Sequence, residues 1–231
     1  MHDPFYDLFE PRPAPPLEDR RVALVTIDMQ YLDAHPDGWV GRVARAAGKE
    51  ELLQPRWDGI AAILPNIRRL QDAFRAAGQE VVHVRVAYLT TDGRDAGRAH
   101  MPSADLEASE RDARDDELLP EVAAHGDEMI FSKKSASVFN TTEIDDVLRR
   151  MGIDHLVMTG IVTDGCVELS SKDAADRGYR VTLVPDACAA STPEAHEDAV
   201  QRLTDGSFIA ARPTDDLVRE VGELRAAPAL A

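Results

Sequence analysis

The 231-residue chain is 44% apolar and carries 26 Lys and Arg against 42 Asp and Glu, a formal net charge of −16. Such a length supports one substantial core, and the acidic balance argues against a nucleic-acid partner or an anionic-membrane surface. No run approaches the roughly 20 apolar residues of a membrane span. Residues 1–20 read as a Pro-rich arm, because Pro4, Pro11, Pro13, Pro15 and Pro16 oppose regular structure while Phe5, Tyr6, Leu8 and Phe9 are available to pack on a neighbour. This stretch has no apolar core of the secretory kind. Two cysteines, Cys166 and Cys188, suit a reduced cytoplasmic protein, although sequence alone leaves a disulfide between them open.

A single domain is expected over residues 21–222, followed by a tail at 223–231. Arg21–Asp28 (RVALVTID) is a continuous apolar, β-branched run, the pattern of a fully buried strand. Residues 31–56 are mixed and weakly helical and read as a covering segment. From Ile60 to Ala77 the apolar positions Ile60, Ile63, Leu64, Ile67, Leu70 and Phe74 fall at helical spacing, and Gly78 stops the helix. Glu80–Ala87 is a second strand. Thr90–Arg114, with Gly93, Gly97, Pro102 and many charges, reads as a long loop. A short strand over Glu128–Ser132 leads into Lys133 and Lys134. The spacing then predicts a helix over Thr141–Met151, with Thr142 as cap and Gly152 as stop. A strand at His155–Thr159, a helix at Cys166–Arg177 and a strand at Tyr179–Val184 follow. The last elements are a helix at Pro193–Leu203, a short strand at Ser207–Ala210 and a helix at Thr214–Val221. This alternation predicts an α/β fold of three α/β/α layers around a mostly parallel, doubly wound sheet.

Ligands of open α/β sheets bind outside the carboxyl ends of the strands. Asp28, Lys133 and Cys166 all fall at such ends, although they are far apart in sequence. Cys166 follows the small-residue turn Gly160–Gly165 at the start of a predicted helix. Unpaired N–H groups and the helix dipole there favour a thiolate and suit an oxyanion. A carboxylate beside a lysine can take the thiol proton while the cation supports the anion. Singly, each residue has an ordinary reading as a packed thiol, a strand-end cap or a solvated lysine. Together they predict a catalytic rim.

Three blocks carry a resemblance: Val25-Thr26-Ile27-Asp28-Met29-Gln30; Lys133 with Ser137, Phe139 and Thr141; and Gly160 through Val167. They resemble the signature blocks of the isochorismatase-like cysteine hydrolases, and Asp173–Tyr179, Asp186–Ala189 and His196 continue the likeness over roughly residues 20–222. The resemblance implies an isochorismatase-like hydrolase fold, commonly oligomeric, with Asp28 as general base, Lys133 as supporting cation and Cys166 as nucleophile. It also implies a non-proline cis peptide between Ile161 and Val162, which turns the Val162 N–H toward that of Cys166 to form an oxyanion hole. The spacing to Ser137 and Phe139 selects Lys133 over Lys134, and side-chain alternation lets only one of the two face inward.

Within that superfamily, the thiol points to C–N hydrolysis rather than vinyl-ether cleavage. The blocks around Cys166 and Asp186 look most similar to the branch of N-carbamoylsarcosine amidase, biuret hydrolase and ureidoacrylate amidohydrolase. A small amide, ureide or N-carbamoyl compound is the implied substrate, and a homo-oligomer, dimer or tetramer, the implied assembly. Neither metal nor cofactor is expected: the Asp-x-His metal motif of nicotinamidases is missing after the second strand, and Asp33-Ala34-His35 has its spacing in the wrong place. Gln30, Tyr31, Trp39, Tyr88 and Asn140 are expected to line the substrate pocket, with packing roles as the alternative. A nicotinamidase-like hydrolase and a non-catalytic small-molecule-binding or accessory protein on the same fold are the competing readings.

Overall fold

In a computed structural model, six strands form one sheet: β1 (Val22–Ile27), β2 (Glu80–Val86), β3 (Met129–Lys133), β4 (His155–Ile161), β5 (Arg180–Ala189) and β6 (Ile209–Ala211). The structure describes residues 4–8, 14–90, 94–95, 112–205 and 209–224. Every pairing is parallel and the strand order is β3-β2-β1-β4-β5-β6. The chain thus winds outward from β1 to one edge, returns, and leaves from β4 toward the other. The order reverses between β1 and β4, which is where a crevice opens at the carboxyl ends of the strands.

All six residues of β1 and all seven of β4 are buried, as a sheet covered on both faces requires. Alternation divides them between two cores. Val22 and Leu24 pack with Ile60, Ile67, Leu70 and Phe74 of α3 (Gln54–Ala76) and with Leu217 and Val221 of α7 (Thr214–Glu223). Ala23, Val25 and Ile27 face the opposite side, with Ile144 and Leu148 of α4 (Ile144–Arg150), Ala174 of α5 (Glu168–Asp176) and Leu203 of α6 (Pro193–Thr204). This is the three-layer α/β fold expected from the alternating pattern.

Several boundaries differ from the sequence expectation. α3 begins at Gln54, six residues early, because Pro55 suits a first helical turn and the apolar stripe starts only where the helix meets the sheet. β5 runs on through Pro185 to Ala189, five residues past the expected end. Its pairing with β4 is interrupted between Met158 and Gly160 and resumes at Gly160 opposite Cys188, so the proline sits where the ladder is already irregular. The arm holds a short 3-10 helix at Pro4–Leu8, against the expectation of no regular structure, since a fixed proline φ is compatible with a first turn. Further on, Leu17 is buried and its N–H donates to Glu220 Oε1 at 2.6 Å. Most of the expected loop over Thr90–Arg114, the start of the expected strand at Ser207, and most of the tail at 223–231 lie outside the described residues.

Candidate active site

The carboxyl end of β1 delivers Asp28 into the crevice with φ 53, a left-handed conformation uncommon for a residue with a side chain. Its N–H donates to Val84 O, and its carbonyl accepts from the Gln30 N–H, so the bend is tied on both sides. Gly160, one residue before the end of β4, makes room for this bend. It has φ +107, and a Cβ there would lie 2.1 Å from Ile27 O. Only glycine permits β4 to approach the end of β1 so closely.

Lys133 ends β3 and is fully buried; its Nζ lies 2.8 Å from Asp28 Oδ2 and donates to Cys166 Sγ at 3.2 Å. Asp28 is also fully buried, and neither of its carboxylate oxygens receives a well-aligned hydrogen bond. The carboxylate faces both the Lys133 ammonium and the Cys166 thiol. Burial alone would lower the Lys133 ammonium, but the Asp28 carboxylate, with Cys166 beside it, outweighs burial and the net direction is upward. For Cys166, burial pushes the thiol up and the Asp28 charge pushes the same way, against the pull of Lys133.

The expected helix start at Cys166 is absent. Thr163–Val167 form a π-type turn, with the N–H groups of Gly165 and Val167 both donating to Val162 O, and α5 begins only at Glu168. The thiol therefore sits before the helix rather than in its first turn, and with its pKa raised it rests protonated, not as the thiolate that the dipole argument suggested. The Ile161–Val162 peptide is cis. Both cysteines are free.

The covering segment consists of α1 (Tyr31–Ala34) and α2 (Trp39–Ala46), fastened by Asp115. That buried carboxylate accepts from Arg42 Nη1 at 3.2 Å and Nη2 at 2.7 Å, from the Trp39 N–H at 3.0 Å and from the Asp112 N–H at 3.0 Å. Asp112 and Asp115 form a capping box around the 3-10 helix Ala113–Asp116, a signal present in the sequence but not used. Gln30 is completely buried, and its carboxamide bonds the backbone of Val86 and Asp115. It braces the rim rather than offering free polar atoms to a ligand. Tyr31 is held between His35, at a ring-centroid distance of 4.7 Å, and the Arg114 guanidinium, 4.1 Å from its centroid. Trp39 is half-buried, and its indole Nε1 has no hydrogen-bond partner among the described residues. Tyr88 is half-buried just beyond β2, and Asn140 is exposed at the end of the 3-10 helix Val138–Asn140.

Two arrangements escaped the sequence reading. Arg56, at the start of α3, is buried against Asp33 of α1, with Nη2 3.2 Å from Asp33 Oδ2 and Nη1 donating to Ser191 Oγ at 3.0 Å. Thr163 and His196 share a hydrogen bond of 2.8 Å between Oγ1 and Nδ1. His196 also lines a groove of about 780 Å³ between the start of α3 and the β5–α6 connection, with Gln54, Ile63, Asp186 and Ala190 among its walls. Among the described residues, no cluster of three His, Cys, Asp or Glu side chains is able to hold a metal ion.

With this fold and crevice in place, the chain matches the family model described as the isochorismatase domain over residues 22–212. The chain belongs to the isochorismatase family. It is 30% identical to the isochorismatase family protein YwoC of Bacillus subtilis strain 168 over 168 residues, covering 71% of this chain and 86% of that one. It is 26% identical to the ureidoacrylate amidohydrolase RutB of Caulobacter segnis, covering 92% and 91% of the two chains. Among solved structures, a cysteine hydrolase from Pseudomonas syringae pv. phaseolicola superposes with a TM-score of 0.74 at 26% identity, over 89% of this chain and 94% of that one. The protein is an isochorismatase-family hydrolase on an α/β scaffold.

Proposed function

We propose that this isochorismatase-family hydrolase is a cysteine-dependent amidohydrolase that cleaves a C–N bond of a small amide, ureide or N-carbamoyl compound through a covalent thioacyl intermediate. The observation that carries the reading is one ammonium, Lys133 Nζ, within 2.8 Å of Asp28 Oδ2 and 3.2 Å of Cys166 Sγ, with acid and ammonium fully buried. Relatives named as a ureidoacrylate amidohydrolase and a cysteine hydrolase support the same class.

In this mechanism the resting thiol is protonated, so proton transfer from Sγ to Asp28 accompanies attack on the substrate carbonyl. Lys133, held cationic chiefly by Asp28, stabilises the developing thiolate. The N–H groups of Val162 and Cys166 are assigned to the oxyanion. Collapse breaks the C–N bond as protonated Asp28 gives its proton to the leaving nitrogen. Asp28 then takes a proton from water, whose oxygen attacks the thioester or thiocarbamate carbon, and the displaced Cys166 sulfur regains a proton. Cys166→Ala and Cys166→Ser are expected to lower ammonia release by at least about a thousandfold. The assay is a panel of ureidoacrylate, N-carbamoyl amino acids, biuret and simple amides. Full activity in either variant sinks the nucleophile assignment.

Self-association into a dimer or tetramer and a cytoplasmic setting belong to the same proposal. The exposed side chains of Phe5, Leu8, Leu52 and Leu89 and the unpaired cysteines support them. Sedimentation as a monomer at micromolar concentration would remove the first of these.

A further inference from the structure

The turn that presents Cys166 is held both by its own backbone bonds and by neighbouring elements, with Val167 buried in the core and Lys133 bonded to the thiol. Its internal bonds run from the Gly165 and Val167 N–H groups to Val162 O, at 3.0 Å and 3.2 Å. A π-type turn is rare and occurs mostly as a single turn joined to an α-helix, frequently at functional sites. Gly165 adds steric closure, since a Cβ there would lie 2.9 Å from Val162 Cγ2. An external tether comes from the first residue of the turn. Thr163 is fully buried, and its hydroxyl shares the 2.8 Å hydrogen bond with Nδ1 of His196 on α6. The imidazole is itself placed by a regular helix start. Thr192 caps α6 by accepting from the Ala195 N–H, Pro193 occupies the first turn, and the His196 N–H donates to Thr192 O at 3.1 Å.

We infer that His196 is a positioning residue for the reaction: through Thr163 it fixes the orientation of the turn that carries the Val162 and Cys166 N–H groups, and so the donors for the oxyanion. This inference rests on Cys166 being the nucleophile, and it adds a residue that touches neither substrate nor thiol. A hydroxyl one residue from the Val162 donor, tied to a neighbouring helix, adds a restraint on that plane beyond the turn's own bonds. The same imidazole borders the groove beside α3, so its other edge is accessible from outside the crevice.

The test needs a probe that forms an oxyanion without turnover. Propionaldehyde adds to Cys166 to give a thiohemiacetal: the Sγ–C bond forms, the carbonyl π pair moves to oxygen as an oxyanion, and the thiol proton passes to Asp28. Iodoacetamide alkylates the same sulfur by displacing iodide and makes no oxyanion. Protection of Cys166 from iodoacetamide by propionaldehyde, read by peptide mass spectrometry, therefore separates the oxyanion donors from the thiol.

Thr163→Val and His196→Phe are each expected to weaken propionaldehyde affinity by about fivefold or more, with the uncompeted alkylation rate within about twofold of the parent. The double variant is expected to be no weaker than about the poorer single one, as for two ends of one interaction. Thr163→Ser, which keeps the hydroxyl, and His196→Asn, whose amide reaches the Nδ1 position, are expected to recover affinity. Losses under fivefold in folded single variants, or multiplicative losses in the double, overturn the inference. If propionaldehyde fails to protect Cys166 in the parent protein, the nucleophile reading fails first and this inference falls with it. Protection in the parent that persists unchanged in the variants overturns the inference alone.

Discussion

Asp28 and Lys133 are a buried acid and a buried base whose charges are compensated chiefly by each other, with the thiol as third party. Such a pair costs desolvation on both sides and is retained for what it does rather than for net stability. Asp28→Asn removes the proposed base and strands the ammonium in a dry site. It is expected to abolish ammonia release and to destabilise the fold by about 3–5 kcal/mol, measured by urea unfolding. A variant as stable as the parent would show that Lys133 does not depend on this partner. The identities of these residues were legible because each stands at a strand end in a recognisable block. The state of the thiol was not. Residue type and an assumed helix start suggested a thiolate, whereas burial and the Asp28 charge, both products of tertiary packing, push the proton back on.

At the scale of elements, buried strands were the easiest to read. β1 is a nearly continuous apolar run and β4 holds one at Leu156–Met158, and each expected end lies within two residues of the observed span. β5 runs five residues past its expected end at Val184, and the irregular pairing that accommodates Pro185 leaves no local signal. Cys166 and Val167, expected as the first residues of a helix, close a π-type turn instead, since their pattern continues into α5 without a break. The cover was recognised as a cover, but its fastening was not, because Asp115 joins it from about eighty residues away in sequence. Asp115→Ala strips the Trp39 N–H and Arg42 of a buried acceptor. It is expected to cost about 2–4 kcal/mol locally. Hydrogen exchange should show faster amide exchange over residues 31–47 with protection of β1 and β4 unchanged. Unaltered protection over that segment would mean that the cover is held by its apolar contacts alone.

For the whole molecule, the formal charge of −16 carries no information on the fold, which is read from the alternation of elements. Charge does enter stability through buried groups. His155 is fully buried at the start of β4, with Nε2 in a 2.8 Å hydrogen bond with Thr182 Oγ1; burial, helped by the Arg180 charge, lowers its pKa from 6.5 to about 4. Between those values the unfolded chain binds a proton that the folded chain does not, so stability is fully present above pH 6.5 and falls as the pH drops toward 4. The loss from this one group is up to about 3 kcal/mol. Urea unfolding at pH 7 and pH 5 is expected to show a decline that is smaller in His155→Gln, and an equal decline in both proteins would remove His155 as its source.

The strand order has a consequence for synthesis. Asp28 leaves the ribosome early, Lys133 much later, and Cys166 later still, yet β1 lies at the centre of the sheet between strands made at different times. Until β4 emerges and docks along β1, one flank of that apolar strand has no partner and the Asp28 carboxylate stays hydrated. The reactive centre is therefore completed only when the newest strand closes the oldest gap. A nascent chain halted before β4 would carry the acid and the ammonium without the sulfur, and would expose a sticky central strand to chaperones.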